Sequence, residues 1–98
     1  MIYELTWRPQ AKDEFDEAYD WHETQRAGLG DAFAKEVHES LELLKRNPKI
    51  HAKEYHEIRK SVLKRFPYSI YYYIEDKTVV VLSIFHGKRN PDEWKSRT

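Results

Sequence analysis

The sequence contains no cysteine, and it also lacks any long hydrophobic run. The absence of cysteine excludes disulfide bonds, a thiolate nucleophile and a thiolate metal site, and it fits a reducing compartment. No apolar stretch approaches the roughly 20 residues that a helix needs to cross a bilayer, and the N-terminus has no signal-peptide pattern. We therefore expect a soluble, cytoplasmic protein with no membrane partner.

The chain also lacks net charge, but its positive and negative residues are distributed unevenly between its two halves. Residues 1–50 carry seven Lys and Arg against eleven Asp and Glu, whereas residues 51–98 carry ten against six. Such an asymmetry favours a face for nucleic acid or for an acidic protein segment, although ordinary solvation of two amphipathic layers produces it as well. A length of 98 residues suits one domain, 1–98, with one modest core.

Short runs of β-branched and aromatic residues predict strands. The alternating run Ile2–Trp7 predicts the first strand, and three further runs follow in the second half: Glu57–Lys64, Tyr68–Glu75 and Thr78–His86. The dipeptide Asp76-Lys77 predicts a short hairpin turn between the last two. These three consecutive strands are expected to form a mainly antiparallel C-terminal meander.

Two amphipathic helices lie between the first strand and the meander. Helix one is placed at about Gln10–Arg26, because Pro9 suits the opening of a helix. Helix two follows a glycine break in which Gly28 can adopt a left-handed conformation, and it ends at Asn47-Pro48. Their apolar residues form two buried stripes: Ala11, Phe15, Ala18, Tyr19 and His22, then Phe33, Val37, Leu41 and Leu44. We expect an α+β fold in which this helical hairpin packs on the meander.

The meander carries an unusual number of cations. Along Glu57–Lys64 successive side chains alternate between faces, so Arg59 and Lys60 point in opposite directions. The last strand ends in His86, and Arg89 follows three residues later. A sheet that carries such residues suits an anionic ligand.

Several of these residues also have a purely structural explanation. Arg59 and Arg65 can form cross-strand ion pairs with Glu57 or Glu75. His86 can hydrogen-bond a loop carbonyl, as an isolated strand-end histidine commonly does. Both explanations stay open at the level of the sequence.

The tryptophans differ in how clearly they can be assigned. Trp21 and the nearby His22 are simplest as core residues of helix one. Trp94 is the one large apolar residue of the polar tail. It either packs this tail back onto the sheet or marks a contact surface.

Several short motifs span almost the whole chain. They are Ala11 with Trp21, Gly28 to Phe33, Leu44 with Asn47-Pro48, Ile58-Arg59, Arg65 to Tyr68 with Tyr71-Tyr72, and His86 to Arg89 followed by Pro91 and Trp94. In this order and at these spacings they resemble the RelE/ParE superfamily, the toxins of bacterial type II toxin–antitoxin modules of the plasmid stabilisation type. The resemblance implies a RelE/ParE-like fold of strand, helical hairpin and three-stranded meander.

The resemblance leaves two activities open. Members similar to RelE are ribosome-dependent endoribonucleases that cut mRNA through its own 2′-OH and need no metal or cofactor. Their transition state requires cations and groups that exchange protons. For this activity the candidate catalytic residues are Arg59, Arg65, His86 and Arg89, and the candidate residues for binding nucleic acid or another target are Lys60, Lys64, Lys88 and Trp94.

Members similar to ParE instead inhibit DNA gyrase by binding it, and the sequence favours this branch. The tail offers Trp94 and Lys95 where the nucleases commonly carry Tyr or His, and an indole does not usefully exchange a proton. The neutral chain also contrasts with the strongly basic members that act on the ribosome. His86 beside Arg89 keeps the nuclease alternative open.

The resemblance also implies a cognate antitoxin whose disordered tail folds along the toxin. The exposed edge of the first strand or of Glu57–Lys64, together with the basic sheet face, suits an acidic segment. The same surface permits a homodimer. A third alternative is a non-toxic binding module for an acidic partner segment.

Overall fold

The computed structural model describes residues 2–96, in which helices cover a five-stranded sheet. In chain order the elements are β1 (Glu4–Trp7), α1 (Pro9–Gln25), α2 (Leu29–Arg46), β2 (Lys53–Tyr55), β3 (Ile58–Val62), β4 (Tyr68–Glu75), β5 (Thr78–His86) and α3 (Asp92–Lys95). The strand order is β1-β5-β4-β3-β2; β1 runs parallel to β5, and the other pairs are antiparallel. The predicted α+β fold with its helical hairpin and C-terminal meander is confirmed.

The helical hairpin is closed by a carboxylate that reaches from α1 to the start of α2. Gly28 has the left-handed φ of 88° that its position in the glycine break predicted. Glu23 then accepts hydrogen bonds from the backbone N–H of Gly30 at 2.8 Å and of Asp31 at 3.3 Å. These donors have no partner within the first turn of a helix, so Glu23 acts as the cap that α2 otherwise lacks.

The hairpin buries its apolar stripes against β4 and β5. Phe33, Val37, Leu41 and Leu44 of α2 are each at most 1% exposed. They share one core with Leu63, which directly follows β3, and with these residues of the sheet: Ile70, Tyr72, Val79, Val81 and Ile84. Tyr19, which we placed on the stripe of helix one, is only half-buried. Its hydroxyl donates to Asp31 at 2.5 Å instead.

The sequence did not predict two elements, the edge strand β2 and the short helix α3. β2 pairs with the start of β3 across a turn in which His56 has a φ of 53°, so the predicted strand Glu57–Lys64 shortens to Ile58–Val62. α3 covers the face opposite the hairpin. A second, smaller core forms there from Ile58, Tyr71, Leu82, Phe85 and Trp94.

Candidate functional site

Arg59 lies on the helix-covered side of the sheet. Its cross-strand partner is Tyr72, which belongs to the core beneath the hairpin. The Arg59 Nη1 donates to the carbonyl oxygen of His51 at 2.6 Å, and the Tyr72 hydroxyl donates to the carbonyl oxygen of Pro48 at 2.7 Å. Burial raises the pKa of Tyr72 to about 12, against a smaller lowering by the Arg59 charge. Arg59 therefore holds the loop before β2 in place.

Glu36 of α2 fixes the turn that follows β3. Its carboxylate accepts hydrogen bonds from the backbone N–H of Lys64 and, at 3.1 Å, from that of Arg65. The Arg65 Nε lies 4.0 Å from the same carboxylate. Within residues 2–96, Arg65 therefore pairs with α2, and the cross-strand ion pairs that were considered from the sequence are not the ones formed.

The His86 ring also lies on the helix-covered side. It meets the Tyr68 ring edge to face, with 5.0 Å between centroids, and Tyr68 contacts Phe33 at 5.0 Å. The His86 Nδ1 accepts a hydrogen bond from the backbone N–H of Lys88 at 3.0 Å, so the neutral ring carries its proton on Nε2. The Lys88 side chain itself is exposed in the turn after β5.

Arg89 packs on the other side of the sheet. Its guanidinium lies 5.1 Å from the centroid of the Phe85 ring and forms an ion pair with Glu93 at 2.6 Å. Phe85 belongs to the small core opposite the helices. His86 and Arg89 are thus close in sequence but contact different faces, although both border the clefts at the end of the sheet.

Trp94 covers the middle of the face opposite the helices. Its indole is 1% exposed and stacks on Tyr71 with 4.0 Å between centroids and an interplanar angle of 26°. Within residues 2–96 its Nε1 has no hydrogen-bond partner. Of the two roles considered for Trp94, packing of the tail is the one the structure has, because the indole is almost fully buried.

A cleft of about 280 Å³ remains beside Trp94, and we call it the cationic cleft. Lys60, Arg89 and Lys95 line it, with Glu54 also at the wall. The Lys60 Nζ lies 5.9 Å from the centroid of the Tyr71 ring. These side chains can meet a small anionic group.

The predicted site residues therefore divide between separate surroundings. Lys60, Arg89, Trp94 and the edge of His86 border the cationic cleft, Arg59 and Arg65 hold loops beside the helices, Lys64 borders a groove against α2, and Lys88 is exposed. All four residues that were predicted to be catalytic lie within the described residues 2–96. No single face of the sheet carries all four of them.

A larger cleft of about 620 Å³, which the sequence did not predict, lies between α1 and the end of β5, and we call it the α1 cleft. Glu14, Glu17 and Trp21 line it from α1, and Tyr68 and His86 line it from the sheet. Trp21 is 57% exposed, so its assignment to the core was wrong. Consecutive helix residues point about 100° apart, so Trp21 lies at the edge of the apolar stripe when His22 occupies its middle.

The described residues offer no metal centre. Within residues 2–96 no three His, Asp or Glu side chains lie close enough together to hold an ion. Over the same range no helix combines the length and apolarity that crossing a bilayer requires.

Comparison with known proteins identifies the family. A family model described as ParE toxin of type II toxin-antitoxin system, parDE, matches residues 5–91. The chain belongs to the ParE toxin family. The RelE/ParE resemblance of the sequence motifs is thereby confirmed. No curated protein matches the chain.

Solved structures share the fold of this ParE family member. The chain is similar to the chromosomal ParDE toxin–antitoxin system from P. aeruginosa, with 20% identity and a TM-score of 0.77 over 87% of this chain and 96% of that chain. It is also similar to a mutant of the E. coli toxin RelE in the free state, with 21% identity and a TM-score of 0.72 over 98% and 93%. A RelBE toxin–antitoxin complex from Mycobacterium tuberculosis gives 18% identity and a TM-score of 0.60 over 88% and 99%.

Proposed function

We propose that this ParE family toxin acts by binding DNA gyrase and does not cut RNA. The observation that carries the proposal is the dispersion of the residues that a nuclease would need together. Arg59 and Arg65 are held beside loops and α2, whereas His86 packs on Tyr68. Cleavage of a phosphodiester requires cations and a proton-transfer group within hydrogen-bond reach of one phosphate. The arrangement supports a toxin that works through a protein contact.

The surroundings of His86 give further support. Glu14 and Glu17 stand on the opposite wall of the same cleft. Two carboxylates beside the imidazole disfavour a phosphodiester there, because like charges repel. On the other face of the sheet, Trp94 stands where a proton-exchanging side chain would be needed.

The test is the order in which DNA and protein synthesis stop after the chain is induced in bacteria, together with a supercoiling assay on purified DNA gyrase. We expect DNA synthesis to stop first and the purified chain to inhibit supercoiling. If translation stops first and supercoiling is unaffected, the gyrase proposal is wrong.

The cationic cleft supports one alternative activity, a RelE-like ribosome-dependent endoribonuclease. In that case His86→Ala and Arg89→Ala abolish growth arrest and leave antitoxin binding largely intact. Lys77→Ala is the matched control, because its side chain is exposed in the turn between β4 and β5 and carries no predicted role. A His86→Ala variant that still arrests growth removes His86 from any catalytic role.

We also propose a cognate antitoxin as a partner in the cytoplasm. Support comes from the toxin–antitoxin complexes among the structures that share this fold. β1 and β2 are the outer strands of the sheet, so an extended segment can add to either one; the edge expected on Glu57–Lys64 is partly covered by β2. Co-expressed antitoxin is expected to co-purify with the chain and restore growth. A homodimer stays a prediction, and the non-toxic binding module predicts the same contacts without growth arrest.

A further inference from the structure

We propose that the α1 cleft recognises a basic side chain, best an arginine, on an extended segment of the toxin's target protein. The inference rests on the proposed function only in taking the target to be a protein. It assigns a contact surface to a part of the chain in which His86 and Arg89 are the predicted site residues.

Aromatic rings form a connected group along the α1 cleft. Trp21 meets His22 edge to face at 4.9 Å, His22 lies 5.7 Å from Tyr68, and Tyr68 lies 5.0 Å from His86. The indole of Trp21 is largely exposed, although a side chain this large and apolar is usually buried. Aromatic faces attract a guanidinium within about 6 Å of the ring.

A buried acceptor without a donor also borders this cleft. The His22 Nδ1 lies 2.6 Å from the carbonyl oxygen of Ala18, so the proton sits on Nδ1 and Nε2 is an acceptor. His22 is 5% exposed and lines the cleft. Within residues 2–96 only the Trp94 indole nitrogen is fully enclosed without a partner, so the His22 Nε2 keeps access to the cleft. A guanidinium supplies the N–H donor that this nitrogen lacks.

The charge of α1 favours a cation in the cleft. Residues Pro9–Gln25 contain six Asp and Glu but only one Lys. Glu14 is held at β5, where it accepts hydrogen bonds from the Ser83 hydroxyl at 2.9 Å and the Ile84 N–H at 3.3 Å. Glu17 forms no ion pair with any residue in 2–96. A partner that meets this wall is therefore basic.

The cation that already borders the cleft does not cancel the negative charge of α1. Arg89 borders the cleft, but its guanidinium is paired with Glu93 at 2.6 Å and stacked over Phe85. The Arg89 charge still reaches the cleft, where it lowers the pKa of Tyr68 against the larger rise caused by burial, but the ion pair with Glu93 weakens its effect there. The cationic cleft, in contrast, is small and bordered by the buried Trp94. The α1 cleft is therefore the surface that combines room, an exposed aromatic anchor and a defined charge, as protein recognition sites do.

A binding experiment tests the chemistry without any knowledge of the target. The purified chain is titrated with N-acetyl-L-arginine amide, and the indole N–H of Trp21 is followed by NMR, with the neutral citrulline analogue as control. We expect the arginine compound alone to shift the Trp21 signal, with affinity reduced at least about threefold in Glu17→Gln. Equal shifts from both compounds, or none from either, overturn the proposal.

A growth experiment tests the role of the cleft in toxicity. Glu17→Lys and Trp21→Ala are induced beside Asp20→Lys, which makes the same charge change on α1 outside the cleft. We expect the first two to weaken growth arrest at least about tenfold in the inducer concentration required, while Asp20→Lys arrests like wild type. All variants are expected to co-purify with the antitoxin, which shows that they fold.

The outcomes separate this inference from the gyrase proposal. Growth arrest of wild-type strength in both cleft variants overturns the inference. Loss of antitoxin binding with arrest retained also overturns it, because the cleft then serves the antitoxin. If wild-type chain leaves gyrase unaffected while the cleft variants still lose arrest, the gyrase proposal is wrong and the inference stands for another protein target.

Discussion

The two faces of the sheet are covered in different ways. On one face, α1 and α2 lay two apolar stripes over β4 and β5, so the core there is built from both halves of the chain. On the other face, one short helix, α3, covers the sheet through Trp94. The helix-covered face therefore carries the global stability of the fold, whereas the opposite face depends on the single side chain of Trp94.

The polar groups of the two faces differ as well. Beneath the hairpin, the Tyr72 hydroxyl donates to Pro48 and Glu14 accepts from Ser83. On the opposite face, the buried Trp94 Nε1 has no partner among residues 2–96. A buried donor without a partner costs about 1–3 kcal/mol. The second face is therefore held less tightly than its buried area alone indicates.

The largest effect is expected from Phe33→Ala in the helix-covered core. Phe33 is fully buried and its ring contacts His22 at 5.1 Å, Phe66 at 5.4 Å and Tyr68 at 5.0 Å. Emptying such a position lowers the free energy of unfolding by about 3–5 kcal/mol. Urea denaturation followed by circular dichroism measures the loss.

Leu43→Ala on the same helix is the control, because Leu43 is 68% exposed and should change stability by less than about 0.5 kcal/mol. Equal losses in the two variants would contradict the comparison.

Trp94→Ala tests the opposite face. We expect the free energy of unfolding to fall by about 2–3 kcal/mol, which is less than the loss of about 3–5 kcal/mol that is usual when a buried aromatic side chain is truncated to alanine. The loss is reduced because the unpaired indole donor disappears with the ring and the short α3 can rearrange. Trp94→Phe separates the two contributions in part, since it keeps a six-membered ring on Tyr71 and removes the donor together with part of the indole's volume. It should lose less than about 1 kcal/mol. A Trp94→Phe variant as unstable as Trp94→Ala would show that the indole nitrogen is satisfied.

The elements that could be predicted from the sequence are those encoded by local patterns. The spacing of Phe33, Val37, Leu41 and Leu44 fixes a helical face, because residues three and four apart share one side of a helix. Alternation along β3 places Arg59 and Lys60 on opposite faces in the same way. The turn at Asp76, whose φ is 54°, follows from the residue types that tolerate it.

The features that could not be predicted are contacts between distant residues. Arg65 meets Glu36 across 29 positions, and Ser83 meets Glu14 across 69. No local pattern encodes such pairs, since each depends on how the hairpin docks on the sheet. The burial of Trp94 has the same origin, because it depends on the open space beside Tyr71. The candidate site was therefore predicted as a set of residue types, and alternation placed Arg59 and Lys60 on opposite faces, but the division of His86 from Arg89 and Trp94 was not predicted.

Gly30→Ala tests the closure of the hairpin that covers the first face. A Cβ at this position would lie 2.7 Å from the Tyr19 carbonyl oxygen and 2.6 Å from the Glu23 Cγ. Because one of these neighbours is backbone, the helices must shift, and the free energy of unfolding should fall by about 2 kcal/mol. Gly87→Ala, beyond β5, is the matched control, with its nearest atom, the Pro67 carbonyl oxygen, at 3.6 Å. Equal thermal melting temperatures for the two variants would show that the hairpin can adjust.

The smallest effect concerns a single hydroxyl in the helix-covered core and depends on pH. Burial raises the pKa of Tyr72 to about 12, above the value of about 10 for an unfolded chain. Because the folded state holds this proton more tightly, its contribution to stability is complete below pH ~10 and is lost as the pH rises toward 12. Tyr72→Phe should therefore cost about 1 kcal/mol at pH 7, for the lost bond to Pro48, and should show a shallower alkaline decline. Urea midpoints at pH 8, 10 and 11 measure it. Tyr19→Phe is the comparison, because the hydrogen bond to Asp31 raises the pKa of this half-buried tyrosine to about 12. If only Tyr19→Phe changed the dependence of stability on pH, the alkaline loss of stability would come from Tyr19 and not from the buried hydroxyl of Tyr72.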